Sequence, residues 1–159
     1  MRLISRLRAV ILTLSVALGC HNSVGPAGRA GVALESAVAS RVLDEVRISI
    51  KFTVENRGDS SVQYWPCRSG IERAVGSDWR FVWGPLCTND EPTALLPGAA
   101  HQDSMLVRLR REPGQPTWEY GPIDGTYRLS VTIKDRHGTV LPIADRISSS
   151  FNLVDPIEE

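Results

Sequence analysis

Val46 to Glu55 reads Val-Arg-Ile-Ser-Ile-Lys-Phe-Thr-Val-Glu, so Val46, Ile48, Ile50, Phe52 and Val54 alternate with Arg47, Ser49, Lys51, Thr53 and Glu55. Strict period two puts every apolar side chain on one face of a strand and every polar one on the other. A helix built from the same residues would scatter its apolar groups around the axis. The segment therefore predicts a strand in an antiparallel sheet with one buried and one wet face.

The pattern continues. Asn56-Arg-Gly-Asp59 supplies a turn, and Val62 to Trp65 resumes an extended segment. Trp79-Arg-Phe-Val-Trp83 is aromatic and β-favouring. Leu96-Pro-Gly98 marks another turn before Met105 to Leu109. Tyr127, Leu129, Val131 and Ile133 alternate with Arg128, Ser130, Thr132 and Lys134. Asp135-Arg-His-Gly138 turns the chain into a strand over Thr139 to Ile143, and Ser149 to Val154 closes the set. Residues 32–44 fit either a first strand or a helical turn, with the strand favoured. Together these give an all-β antiparallel sandwich of about seven strands over residues 32–155. A chain of 159 residues holds one such domain and a tail.

The tail has its own logic. Arg2, Arg6 and Arg8 precede an apolar run from Ala9 to Leu18, followed by Gly19 and Cys20. A basic start, a short apolar stretch and a small residue form the pattern of a secretory signal, and the run is too short to span a bilayer. Val16-Ala-Leu-Gly-Cys20 resembles a bacterial lipobox. That resemblance implies cleavage before Cys20, acylation of the cysteine, and a signal over residues 1–19. Ala17 stands where the pattern prefers leucine. His21 follows the cysteine where an aspartate would resemble an inner-membrane retention signal, which favours the outer membrane of a bacterial envelope. Residues 20–31, small and rich in turn formers, then form a lipidated flexible tether.

Charge and cysteines narrow the functional classes. The 18 basic and 18 acidic side chains leave no net field for nucleic acid. Cleavage of residues 1–19 removes three arginines and no acid, making the remainder slightly acidic. Three cysteines are odd for an exported chain. With lipid on Cys20, Cys67 and Cys87 remain as a pair for a disulfide in an oxidising compartment. A redox site would want Cys-x-x-Cys, and a zinc site would need ligands at short spacing. Neither pattern is present, so no metal or cofactor is expected.

No constellation for catalysis stands out. His21 lies in the tether, His101 in the loop after Pro97-Gly98, and His137 in a tight turn. No Gly-x-Ser-x-Gly elbow is present. The expectation is no enzyme and no catalytic residue. The tryptophans are more suggestive. Trp65, Trp79 and Trp83 lie beside or within the Cys67–Cys87 segment, and Trp118 and Tyr120 fall in a long segment rich in proline. Such residues either pack over a sandwich or form a platform for a protein or glycan. Trp65, Trp118 and Tyr120 are the candidate binding residues.

Phe52-Thr-Val-Glu-Asn-Arg-Gly-Asp59 with Val62 resembles the opening hairpin of bacterial immunoglobulin-like sandwiches. Leu96-Pro-Gly98 and Asp124-Gly-Thr-Tyr-Arg-Leu-Ser-Val131 resemble their later strands. Tyr127 sits where such folds carry a corner tyrosine whose hydroxyl bonds back to the backbone. These landmarks are also similar to the intracellular proteinase inhibitor (BsuPI-like) family. The resemblance implies an immunoglobulin-like sandwich; joined to the lipobox-like segment and the lack of a catalytic motif, the expectation is a lipid-anchored, non-catalytic binding or structural accessory module. The partners expected are the membrane, through Cys20, and an envelope protein or glycan. The alternative it implies is a protease inhibitor using the Cys67–Cys87 loop with Arg68 and Arg73.

Overall fold

The alternating segment becomes β2 (Glu45–Asn56), the middle strand of a three-stranded antiparallel sheet, in a computed structural model that describes residues 29–42, 45–85, 87, 89–110 and 122–156. β1 (Ala30–Val42) pairs along one edge of β2, and β6 (Ala100–Arg110) along the other. The second sheet runs β4 (Asp78–Trp83), β3 (Val62–Val75), β7 (Gly125–Asp135) and β8 (Phe151–Leu153). Short β5 (Thr93–Leu95) pairs with the start of β3. The result is an all-β sandwich with eight strands among the described residues.

The two inner faces supply the core. Val46, Ile48, Ile50, Phe52 and Val54 from β2 meet Tyr64 and Ile71 from β3 and Leu129, Val131 and Ile133 from β7, all fully buried. Phe52 meets Tyr64 edge to face, with ring centroids 6.4 Å apart. At the other end Tyr127 is stacked between Trp83 (5.1 Å) and Phe151 (6.2 Å). The Tyr127 hydroxyl donates to the Ile123 carbonyl oxygen at 2.6 Å, four residues upstream. This is the corner-tyrosine geometry of immunoglobulin-like sandwiches.

Several expectations need correction. Asn56 to Ser61 does not close a hairpin: β2 and β3 lie in different sheets, and the turn carries the chain across the sandwich. Buried Asn56 fixes that crossing, because its side-chain amide donates to the carbonyls of Ser60 and Leu95, both at 2.9 Å. β1 starts at Ala30, so Ala30 and Gly31 belong to the sheet and not to the tether. Residues 32–42 are strand. His101 is in β6 beside the Tyr64 ring and not in a loop. Thr139 to Ile143 forms no strand. It makes one bridge at Val140, one bond from Leu141 N–H to the Ile133 carbonyl, and then a 3₁₀ turn over Ile143–Asp145. β5 was not foreseen. Cys20, Trp118, Tyr120 and the signal over residues 1–19 lie outside the described residues.

Asp135, Tyr64 and Tyr127 are among the ionisable groups that tie stability to pH. Asp135 Oδ1 accepts the backbone N–H groups of Thr139 and His137, each at 2.9 Å, and these bonds hold its carboxyl below the usual range. Burial raises the phenols of Tyr64 and Tyr127, and the Tyr64 bond to Asp103 (2.5 Å) raises that one further. A lowered carboxyl contributes stability above its unfolded pKa of about 4 and loses it as pH falls through the folded value. A raised phenol contributes below about pH 10 and loses it as pH climbs from there toward the folded value. Urea midpoints are therefore expected to be flat between about pH 5 and 9 and to fall on both sides. Asp135→Asn should make the acid limb shallower and Tyr64→Phe the alkaline limb. A midpoint unchanged at about pH 11.5 would contradict the buried-phenol account.

Candidate functional site: the outer face of the five-stranded sheet

β3 leaves its partner in mid-course. Trp65 pairs with Thr132 and Gly70 with Ser130, so β3 spends five steps where β7 spends two. Residues 66–69 are pushed out. Pro66 has no N–H to give to the ladder, which is a local reason for the break. Four interactions hold the excursion in shape. The Ser69 hydroxyl donates to the Trp65 carbonyl (2.9 Å), and the Thr132 hydroxyl donates to the Arg68 carbonyl (2.7 Å). Arg68 pairs with Asp90 at 2.5 Å, and Cys67 is bonded to Cys87 with Cα atoms 5.6 Å apart. The cysteine pair expected from sequence is thus the observed disulfide.

Trp65 stands at the start of this excursion and is almost closed to solvent, at 9% exposure. The guanidinium of Arg68 lies 5.7 Å from its ring centroid and the ammonium of Lys134 lies 4.8 Å away. Both cations favour the negative ring face. Trp65 is therefore a covered ring beneath two cations, and not an open platform.

Among the described residues the open aromatic is Phe81, at 66% exposure. Its ring lies across Gly70, where an added Cβ would strike the ring and come within 2.8 Å of the Trp83 carbonyl oxygen. Only glycine lets the phenyl lie flat there. On the far side of Phe81, the Arg128 guanidinium sits 4.4 Å over the Trp79 ring and pairs with Glu72 at 2.6 Å. Glu72 and Arg128 are cross-strand neighbours, and both side chains are only 17% exposed. The pair is thus better shielded than an ordinary surface ion pair.

Trp79, Phe81 and Trp83 occupy alternate positions and would share a face in a regular strand. A register shift intervenes: Ile71 pairs with Trp83 and Glu72 with Phe81, leaving Val82 extra on β4. This bulge turns Trp83 into the core while Phe81 stays outside. The outer face therefore carries Trp65 under Arg68 and Lys134, then bare Phe81, then Trp79 under Arg128. Sequence reasoning chose Trp65 and missed Phe81. The detectable signal was a phenylalanine two residues from Trp79 in a strand bounded by turn residues.

The described histidines are apart, with His101 against Tyr64 and His137 beside Arg136. No group of three metal-ligating side chains occurs among the described residues. Arg73, one of the two arginines considered for inhibitor contact, donates to the carbonyls of Pro122 (2.9 Å) and Asp124 (2.6 Å) and is committed to holding the start of β7.

The fold and this face define a β-sandwich with a braced aromatic–cationic sheet surface. No protein-family model matches the chain, and no curated protein matches it. Among solved structures it is similar to a β-glucosidase from Kluyveromyces marxianus, both in complex with glucose and as selenomethionine-labelled protein. Each comparison gives 18% identity, a TM-score of 0.35, and coverage of 81% of this chain but 14% of that one. The chain spans about one-seventh of that enzyme's length, and a likeness this weak carries no argument about activity.

Proposed function

We propose that this chain is a lipid-anchored β-sandwich of the bacterial envelope. It acts as a non-catalytic binding module whose contact surface is the outer face of the five-stranded sheet. The observation that carries the reading is Phe81: a large apolar ring, two-thirds exposed, on a surface that is otherwise braced and covered. A bare aromatic flanked by arginines has the composition of a protein–protein hot spot. The ring faces of Trp65 and Trp79 already hold cations, which disfavours sugar stacking there and favours an envelope protein as partner. The anchor is supported by the lipobox-like Val16–Cys20 segment. The inhibitor alternative gains no support from Arg68 and Arg73, since each is engaged within the domain.

The test is a photo-crosslinking residue in place of Phe81, compared with the same group at Ser49, in cells that express the protein from its native signal. Ser49 lies on β2, on the opposite sheet. A discrete crosslinked product is expected from position 81 and none from position 49. Phe81→Ala should leave the unfolding free energy from urea denaturation within about 0.5 kcal/mol of the original, because the ring is surface-borne. Equal crosslinking from both positions, or none from either, would overturn the assignment of this face.

A further inference from the structure

We propose that the end of the sandwich where the chain enters the fold seats on the phosphate headgroups of an anionic bilayer, with Leu96 dipping into the interfacial layer. This rests on the anchored reading above and adds a second surface to it. Arg29 leads directly into β1, and its carbonyl accepts the N–H groups of Arg57 and Gly58, both at 3.0 Å. The chain thus arrives beside the turn from β2 to β3. Cys20 lies nine residues earlier, a reach of about 30 Å at full extension. β7 alone spans 11 residues, or about 36 Å from one end of the sandwich to the other. A lipid on Cys20 therefore holds the Arg29 end within about 30 Å of the bilayer and lets the opposite end stand farther away.

That end is built for an interface. Leu96 is 69% exposed at the entry to a tight turn whose tip is Pro97 and Gly98. The turn is held by bonds from Ala99 N–H to the Leu96 carbonyl and from Gly98 N–H to the Asn56 carbonyl, each 2.9 Å. Beside it Arg29, Arg136 and His137 line an open cleft of about 380 Å³, together with Asp59 and Asp135. Acids share this end with the arginines, each already holding a partner. Glu55 pairs with Arg57 at 2.8 Å, and Asp135 receives the amides of its own turn. Asp59 takes the Ser60 hydroxyl at 3.2 Å. Arg29 faces Asp135 closely enough to help hold its carboxyl low, and Arg136 Nε donates to His137 Nε2 at 3.1 Å, yet neither guanidinium closes an ion pair within 4 Å among the described residues. Guanidinium forks match phosphate oxygens, and an exposed leucine beside them is the pairing that interfacial binding uses. Seated this way, the sheet face with Phe81 stands off the membrane plane and remains open to a partner.

Hydrogen exchange on the full chain, purified from bacterial membranes and reconstituted, tests the proposal. The comparison is between vesicles of phosphatidylcholine alone and vesicles that also contain phosphatidylglycerol. Exchange is expected to slow about threefold or more at residues 57–61, 96–99 and 136–139 in the anionic vesicles, with the 75–78 turn unchanged. Leu96→Ser with Arg29→Gln and Arg136→Gln should abolish the difference. Intact mass of the same sample reports acylation of Cys20. An acylated chain with no slowing at these turns, or with equal slowing in both vesicles, overturns the seating and leaves the anchor standing. An unacylated chain overturns the anchor, and the seating with it.

Discussion

Replacing Tyr127 with alanine should cost about 3–5 kcal/mol, the range for removing a buried aromatic that its neighbours cannot replace. The ring is fully buried between Trp83 and Phe151, and Arg73 lies 5.8 Å from its centroid. Tyr127→Phe separates the ring from its hydroxyl. It keeps the stack and removes one bond, leaving the carbonyl of buried Ile123 without its donor. The expected cost is about 1–3 kcal/mol, the penalty for an unsatisfied buried polar group. Urea denaturation of both variants measures the split. A phenylalanine variant as stable as the original would mean that the corner bond contributes nothing, and that packing alone fixes the start of β7.

Loss of the Cys67–Cys87 bond should cost about 3 kcal/mol, since it closes a loop of sequence separation 20 and removes that freedom from the unfolded chain. The double variant Cys67→Ala with Cys87→Ala and the reduced original should agree in stability. The local consequence follows from the shape of β3. Residues 66–69 lack regular pairing to β7, so the staple, the Arg68–Asp90 pair and the two hydroxyl bonds hold them in place. Amide exchange should therefore rise most around 66–70 and least in β2. A loss below about 1 kcal/mol would show that the excursion is already ordered without the covalent link.

Much of this architecture is legible from residue order, for reasons that also mark where legibility stops. β2 was expected over Val46–Glu55 and spans Glu45–Asn56, because ten alternating residues leave no competing solution. The corner at Tyr127 was legible through family resemblance, and the disulfide through cysteine arithmetic. Alternation stops being informative where the ladder itself is irregular. Pro66 to Ser69 interrupts β3, and the strand resumes at Ile71 in a new phase, so Ile71–Val75 was not read as strand. The extra residue Val82 turns Trp83 inward and isolates Phe81, an outcome that depends on pairing with β3 and not on β4 alone. The apparent hairpin at Asn56 misled for a similar reason. A turn between two strands looks the same in sequence whether they pair or pack face to face. β5, three residues long, is held by β3 and has no pattern of its own.

The central claim is an exported, acylated module with a covalently braced recognition face. The intact mass of the chain from the membranes of a Gram-negative host, measured before and after reduction, tests it most directly. The account predicts loss of residues 1–19, added acyl mass on Cys20, and a rise of about two daltons on reduction as the single disulfide opens. A product that retains residues 1–19, or that carries no lipid and shows no change on reduction, would contradict it.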